Sequence, residues 1–298
     1  MPDFPAAELH APCKVNLVLR IEGRRPDGMH ELTSVFHPLR EPHDVIRIAP
    51  APQGSGLALH CPGVDCPPEK NLLWRAWDAF ARETGLRPDL AITVDKRIPS
   101  GAGLGGGSSD AAALLAWLNN CAGEAALPPK RLAEIALTLG ADVPFFLLCR
   151  TALARGVGEE LTVLEADLSD FTLLLICPDV HVNTAWAYRS WDERRLHATR
   201  PDGLLHILTA GGDAGTGSLC LWPACLENDF EDAVFPVFPE LRRLKEKALR
   251  LGAAGAVMSG SGASIVAAFR DFKEAGNAAT VLQDGQAAGG LKIFVLCP

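Results

Sequence analysis

No stretch of this sequence approaches the roughly 18 consecutive apolar residues of a membrane helix. Residues 1–10 also lack the charged-then-apolar pattern of a leader. The expectation is a soluble, cytoplasmic chain with no membrane partner. Positive charge is scarce too: 28 Lys and Arg face 36 Asp and Glu, for a net charge of −8 and a pI near 5.5. That balance argues against a nucleic-acid partner. It does not exclude phosphorylated ligands, because a local nest of backbone N–H groups holds an anion even in an acidic protein. The nine cysteines include no Cys-x-x-Cys pair, the spacing that marks zinc sites. Cys149 and Cys177 stand in apolar runs, where thiols behave as small hydrophobes, so a reduced and mostly buried set is expected. No internal repeat is present. Apolar residues, by contrast, make up 48% of the 298, enough to bury the core of one large or two moderate domains.

Cys13, Val15, Leu17, Leu19 and Ile21 alternate with Lys14, Asn16, Val18 and Arg20, the period of a half-buried strand. Lys14 and Asn16 therefore share a face, one pleat apart. Pro26 and Asp27-Gly28 supply turn chemistry, and strand patterning resumes over 45–48. Residues 71–84 read as an amphipathic helix with Leu72, Leu73, Ala76, Trp77 and Phe80 on one side. Leu90, Ile92 and Val94 alternate again before a glycine-rich stretch. Helices are predicted over 108–121, where Ser108, Ser109 and Asp110 suit an N-terminus, over 131–139 with a stop at Gly140, and over 239–251. Residues 145–148 are an apolar run of either type, 171–176 and 264–269 read as strands, and 197–219 as an irregular connection. Strands and helices mix without the regular alternation of a doubly wound sheet, which favours α+β. A boundary falls near 155–158, giving an N-terminal domain over 1–155, joined by the last strand at about 284–298, and a second domain over 156–283.

The strongest local signal is Pro99, Ser100, Gly101, Ala102, Gly103, Leu104, Gly105, Gly106, Gly107, Ser108, Ser109, set between a strand and a helix. Five glycines let the backbone approach a ligand closely, and the helix N-terminus adds a positive dipole. Those are the needs of a polyphosphate. Gly101, Gly103 and Gly106 formally satisfy the dinucleotide fingerprint, but the acidic residue expected about 20 positions on is Glu124, in a linker rather than at a strand end. A P-loop fails because Gly107 stands where its lysine belongs.

The stretch 99–109 resembles the second motif of the GHMP kinases. Residues 11–16, Ala-Pro-Cys-Lys-Val-Asn, are similar to the first motif, and Gly260-Ser261-Gly262 to the third. Further stretches at 25–30, 95–99, 139–144 and 156–159 resemble the branch of the family that acts on a cytidine diphosphate-linked polyol in isoprenoid precursor synthesis. Together they span most of the chain, while 50–68 and 192–225 match poorly.

The resemblance implies a two-domain GHMP kinase fold with the active site in the interdomain cleft. It implies ATP and Mg2+ as cofactors, a small-molecule alcohol as acceptor, and a monomer or weak homodimer. Lys14 and Asp142 match the catalytic pair. The residues 99–109 would hold the phosphates, with Ser108 or Ser109 as candidate metal ligands and Asn71 and Lys96 near the adenine. Asn16, His30, Met29, Tyr188, Gly260 and Ser261 fall to the substrate side, with the cytosine edge at His30 and the ring between residue 29 and Tyr188. Met29 departs from the usual tyrosine, and a thioether offers less stacking area. Asp142 has independent support: it follows a helix stop among apolar neighbours, where a charge is costly unless paired. Another kinase of the family, acting on mevalonate, homoserine or a sugar, is the alternative, and an NAD-binding oxidoreductase the distant third.

Overall fold

A computed structural model describes residues 2–63, 66–165, 168–194, 217–218, 223, 225–284 and 290–297. In chain order it gives β1 (Ala7–Arg24), β2 (His30–Pro50), β3 (Leu57–His60), α1 (Leu72–Thr84) and β4 (Leu90–Asp95). Then come α2 (Gly106–Cys121), α3 (Pro129–Leu139), α4 (Val143–Leu148), β5 (Ala152–Arg155), β6 (Glu160–Glu165) and β7 (Thr172–Pro178). After α5 (Thr184–Glu193) follow β8 (Gly217–Ser218), β9 (Glu227–Asn228), α6 (Phe230–Val234), α7 (Pro239–Arg250), β10 (Gly255–Met258), β11 (Ile265–Phe269), α8 (Phe272–Asp284) and β12 (Leu291–Leu296). Of the predicted connection 197–219, all but β8 lies outside the described residues.

The chain forms two compact units, each assembled from three segments. The first holds Met1–Cys13, Pro38–Pro99 and Gly105–Cys149; the second holds Lys14–His37, Ser100–Leu104 and Arg150–Pro298. The α+β class and two-unit organisation expected from the sequence stand, but the division does not fall at 155. β5 pairs with the first half of β2 (Ser34↔Ala154), and so belongs to the second unit. The last strand pairs with β7 (Phe294↔Leu175), so it too lies in the second unit rather than completing the first. Backbone pairing between residues far apart in sequence decides both cases.

In the first unit β4 runs antiparallel to the end of β2 (Ile46↔Val94) and parallel to β3 (Leu59↔Ile92). Its burial alternates, with Leu90, Ile92 and Val94 inside, as the pattern predicts. Helix α1 buries Leu73, Ala76, Trp77 and Phe80; Asn71 caps its start by accepting the Leu73 N–H at 3.0 Å, and Gly85 ends it in the left-handed conformation. Helix α2 begins at Gly106, two residues earlier than predicted, because Gly105 (φ +73°) turns the chain into it. No side chain caps this helix. Residues 145–148 resolve within helix α4, which Cys149 ends with φ +49°, and Cys149 is exposed rather than buried.

In the second unit, a four-stranded antiparallel sheet in the order β10-β11-β7-β12 carries α5 to α8. Leu174, Ile176, Trp191, Phe230, Leu241, Met258, Ile265 and Phe269 form its core. The second unit also includes the pairings β5–β6, β6–β8 and β1–β9. Among the described residues no helix is long and apolar enough to cross a membrane, and all eight described cysteines are free thiols.

Candidate active site

The candidate residues divide between the units: Lys14, Asn16, His30, Met29, Tyr188, Gly260, Ser261 and loop residues 100–104 lie in the second, and Asn71, Lys96, Pro99, loop residues 105–109 and Asp142 in the first.

In the second unit, β1 presents Lys14 and Asn16 on one face, as the strand period requires, and both are buried. A buried ammonium needs acceptors and a buried amide needs both kinds of partner. Lys14 Nζ donates to Asn16 Oδ1 at 2.7 Å and lies 4.7 Å from the centre of the Phe36 ring. Asn16 Nδ2 donates to Ser34 Oγ at 2.8 Å, and the Ser34 hydroxyl donates to the Val18 carbonyl at 2.6 Å. The Asn16 N–H donates to Ser259 Oγ at 3.2 Å, whose hydroxyl donates onward to the Gly103 carbonyl at 3.1 Å. The Lys14 N–H donates to the Leu104 carbonyl at 3.0 Å. Lys14 and Asn16 of the first motif, the middle of the glycine-rich loop, and Ser259 just before the third motif thus form one hydrogen-bonded cluster.

Gly103 is where the fit is tightest. Its φ is +75°, and a Cβ there would lie 2.2 Å from the Ser259 carbonyl oxygen. Gly260 packs back on Gly103, and its own carbonyl accepts from Asn228 Nδ2 at 2.7 Å. Ser261 is buried with its hydroxyl 2.9 Å from Thr184 Oγ1. Ser34, Ser259 and Asn228 were not singled out in the sequence. Only Ser34 carries a signal, a hydroxyl between Thr33 and the apolar Val35 and Phe36 of a strand, which must find a partner when buried.

His30 is buried, with Nε2 2.8 Å from Asp192 Oδ1, and its ring stacks on Tyr188 at 4.4 Å and 22°. Tyr188 also meets Phe230 edge-on at 4.8 Å. Tyr188 therefore carries His30 on its ring, while Met29 sits on the turn with 52% of its surface exposed.

In the first unit, Asp142 stands at the start of α4 and makes no side-chain capping bond there. Gly106 opens α2, and a Cβ on it would sit 3.1 Å from Ile98 and 3.3 Å from Asp44 Oδ2. Ser108 is half-buried; Ser109 is buried, and its hydroxyl has no hydrogen-bond partner among the described residues. Asp110 does not cap the helix, because its Oδ2 accepts from Lys96 Nζ at 2.8 Å. Lys96 also donates to Asp44 Oδ2. Burial pushes the Asp110 carboxyl up to about 7, against the pull of Lys96. Burial likewise opposes the Lys96 charge, but Asp110 and Asp44 outweigh it and hold its pKa above the ordinary lysine value. Asn71, expected near an adenine, has its side-chain oxygen committed to the α1 cap.

The profile of the GHMP kinases N terminal domain matches residues 71–150, and that of the GHMP kinases C terminal matches residues 216–287. Over 262 residues the chain is 46% identical to 4-diphosphocytidyl-2-C-methyl-D-erythritol kinase of Solidesulfovibrio magneticus, covering 88% of each chain. It is 45% identical to the enzyme of the same name from Nitratidesulfovibrio vulgaris, covering 91% of this chain and 92% of that one. A crystal structure of 4-(cytidine 5'-diphospho)-2C-methyl-D-erythritol kinase matches the fold with a TM-score of 0.76 at 34% identity, covering 98% of this chain and all of that one. Homoserine kinase from Cytophaga hutchinsonii matches with a TM-score of 0.72 at 18% identity, a likeness of fold alone.

Proposed function

This chain belongs to the GHMP kinases, and on that premise we propose that it transfers the γ-phosphoryl group of ATP to the 2-hydroxyl of 4-diphosphocytidyl-2-C-methyl-D-erythritol. The observation that carries the substrate is the 46% identity over 88% of both chains with a kinase of that name. The alternative acceptors have weaker support, since the homoserine kinase likeness rests on 18% identity.

In the transfer, the hydroxyl oxygen forms a bond to the γ-phosphorus, the bond from that phosphorus to the β,γ-bridging oxygen breaks, and ADP leaves. We assign Asp142 to orient the hydroxyl and accept its proton. Its place at the start of α4, just after the Gly140 stop, suits that task. Lys14 would supply positive charge to the moving phosphoryl group, and its bond to Asn16 supports a fixed ammonium there. The small residues over 99–109, followed by the first turn of α2, suit the phosphates. Tyr188 stacked on His30 supports an aromatic site for the base, to which exposed Met29 would add little.

Magnesium, when bound, would neutralise charge on the nucleotide oxygens. Ser108 and Ser109 offer hard oxygen donors, and the unpartnered Ser109 hydroxyl fits such a role. Among the described residues no cluster of His, Cys, Asp and Glu could hold a metal, so the ion would rest mainly on the nucleotide. The test is a coupled ADP-release assay with the cytidyl substrate, mevalonate and homoserine as separate acceptors, followed by mass spectrometry. A gain of one phosphate on the cytidyl substrate is expected; turnover of mevalonate or homoserine instead would overturn the substrate assignment.

A further inference from the structure

The geometry points to Asp44 as a positioning residue for nucleotide binding, acting on the glycine-rich loop through Lys96 and the amides of Arg97 and Ile98. The inference rests on the kinase reading for one thing only, that the loop's ligand is a nucleoside polyphosphate.

Asp44 lies on β2 with 0% of its surface exposed. Its Oδ1 accepts the backbone N–H groups of Arg97 at 2.6 Å and Ile98 at 2.8 Å, the two residues that lead from β4 into Pro99. Its Oδ2 accepts from Lys96, whose ammonium also donates to Asp110 Oδ2 at 2.8 Å on the second turn of α2. The same Oδ2 stands 3.3 Å from where a Cβ of Gly106 would be. One carboxylate therefore fixes both flanks of the loop, the chain entering at 97–98 and the helix leaving at 106–110.

Stability alone is a poor reason for this arrangement. A buried ion pair is replaced by apolar side chains of the same volume with little loss or even a gain. Two carboxyl groups sharing one ammonium add no net positive charge to a helix start where an anion is to bind. An apolar residue at 44, however, could not accept two consecutive N–H groups at the point where the chain leaves β4. Without that anchor the first turn of α2 and the residues before Pro99 could move independently. A phosphate held by backbone N–H groups tolerates little such movement, since a misplacement of about 1 Å is enough to lose much of an oriented interaction. Lys96, already engaged by two carboxylates, acts as the bridge and not as a base-reading group.

The test uses Asp44→Asn, which keeps one oxygen for the two amides and removes the charge that holds Lys96. A fluorescent ATP analogue reads nucleotide affinity directly, beside KM for ATP, KM for the acceptor, and the melting temperature. The expected result is nucleotide affinity weakened about tenfold or more, with acceptor KM within about twofold. Lys96→Met should do the same, and the double variant should be no worse than Asp44→Asn, because the two act as one unit. If Asp44→Asn fails to fold, Lys96→Met carries the test alone. Wild-type nucleotide affinity in the variants, or a parallel rise of both KM values tracking a lowered melting temperature, overturns the inference. Absence of nucleotide binding by the wild-type chain would instead overturn the kinase reading itself.

Discussion

The Lys14 ammonium and the Asn16 carboxamide oxygen meet at 2.7 Å, and they can do so because the Asn16 amide group is turned the other way, toward Ser34. The orientation of that side chain is set by its neighbours on both sides. Asn16→Asp would place a full charge on Lys14 and a second acceptor against Ser34, whose proton already goes to Val18. Loss of about 1–3 kcal/mol of stability is expected, the penalty of a buried group left unsatisfied. A fall in kcat should accompany it, as the new carboxylate draws the lysine charge from the phosphoryl group. Ser34→Ala should lose about 1 kcal/mol with kcat near wild type, since Lys14 and Asn16 remain joined. Denaturant melts and initial rates on both variants check this, and equal kcat losses would refute the assigned role of Lys14.

Asp142→Asn should fold normally, because the amide has nearly the size and shape of the carboxylate it replaces. The chemical step should slow by about a hundredfold or more, the usual loss of a general base, with ATP affinity retained. Single-turnover rates measure it, and near wild-type turnover would reduce Asp142 to a residue that merely starts a helix.

Two glycines of the loop should respond in opposite ways. Gly103→Ala drives a Cβ to 2.2 Å from the Ser259 carbonyl oxygen at φ +75°, so fold and nucleotide binding should fail together. Gly107 is different: it is exposed in the first turn of α2, and an added Cβ would make only ordinary contact with Leu72 at 3.6 Å. Among the described residues nothing requires a glycine there, so Gly107→Ala should stabilise by up to about 1 kcal/mol. If phosphate approaches that backbone, ATP KM should nonetheless rise. A more stable enzyme with unchanged ATP KM would place the phosphates elsewhere.

His37 makes stability depend on acidity. Burial lowers its pKa from 6.5 to about 4, and Nδ1 lies 2.8 Å from Thr151 Oγ1. The unfolded chain therefore binds this proton near pH 6.5 while the folded chain resists it until about pH 4. Stability held above pH 6.5 should be lost as pH falls toward 4, by at most about 3.5 kcal/mol at about 1.4 kcal/mol per unit. Urea melts across that range should show a shallower slope for His37→Gln. An unchanged slope would assign the acid sensitivity to other groups.

What could be read in the sequence was local. The alternation over 13–21 put Lys14 and Asn16 on one face, and α1 and β4 follow their own periodicity. The glycine loop was legible because its composition fits a close approach and little else. Asp44 was not, since its partners lie more than fifty residues away at Lys96, Arg97 and Ile98. The same distance effect hid the pairing of β12 with β7. Asp110 misled because an acid near a helix start ordinarily faces the free N–H groups, whereas here a buried lysine competes for it. The resemblance puts residue 29 beside Tyr188, but Met29 still belongs to the turn, and the ring that meets Tyr188 is that of His30, the first residue of β2.

Each compact unit is assembled from three separate stretches of chain, with residues 14–37 and 100–104 lent by the N-terminal half to the second unit. No single cut yields two self-sufficient fragments. A break after Cys149 would strip the later piece of Lys14, Asn16 and the strand that pairs with β5, and leave the earlier piece with orphaned strand edges. The two units must therefore be inherited and expressed as one chain, and neither can be exchanged as a cassette with a relative by joining sequences end to end.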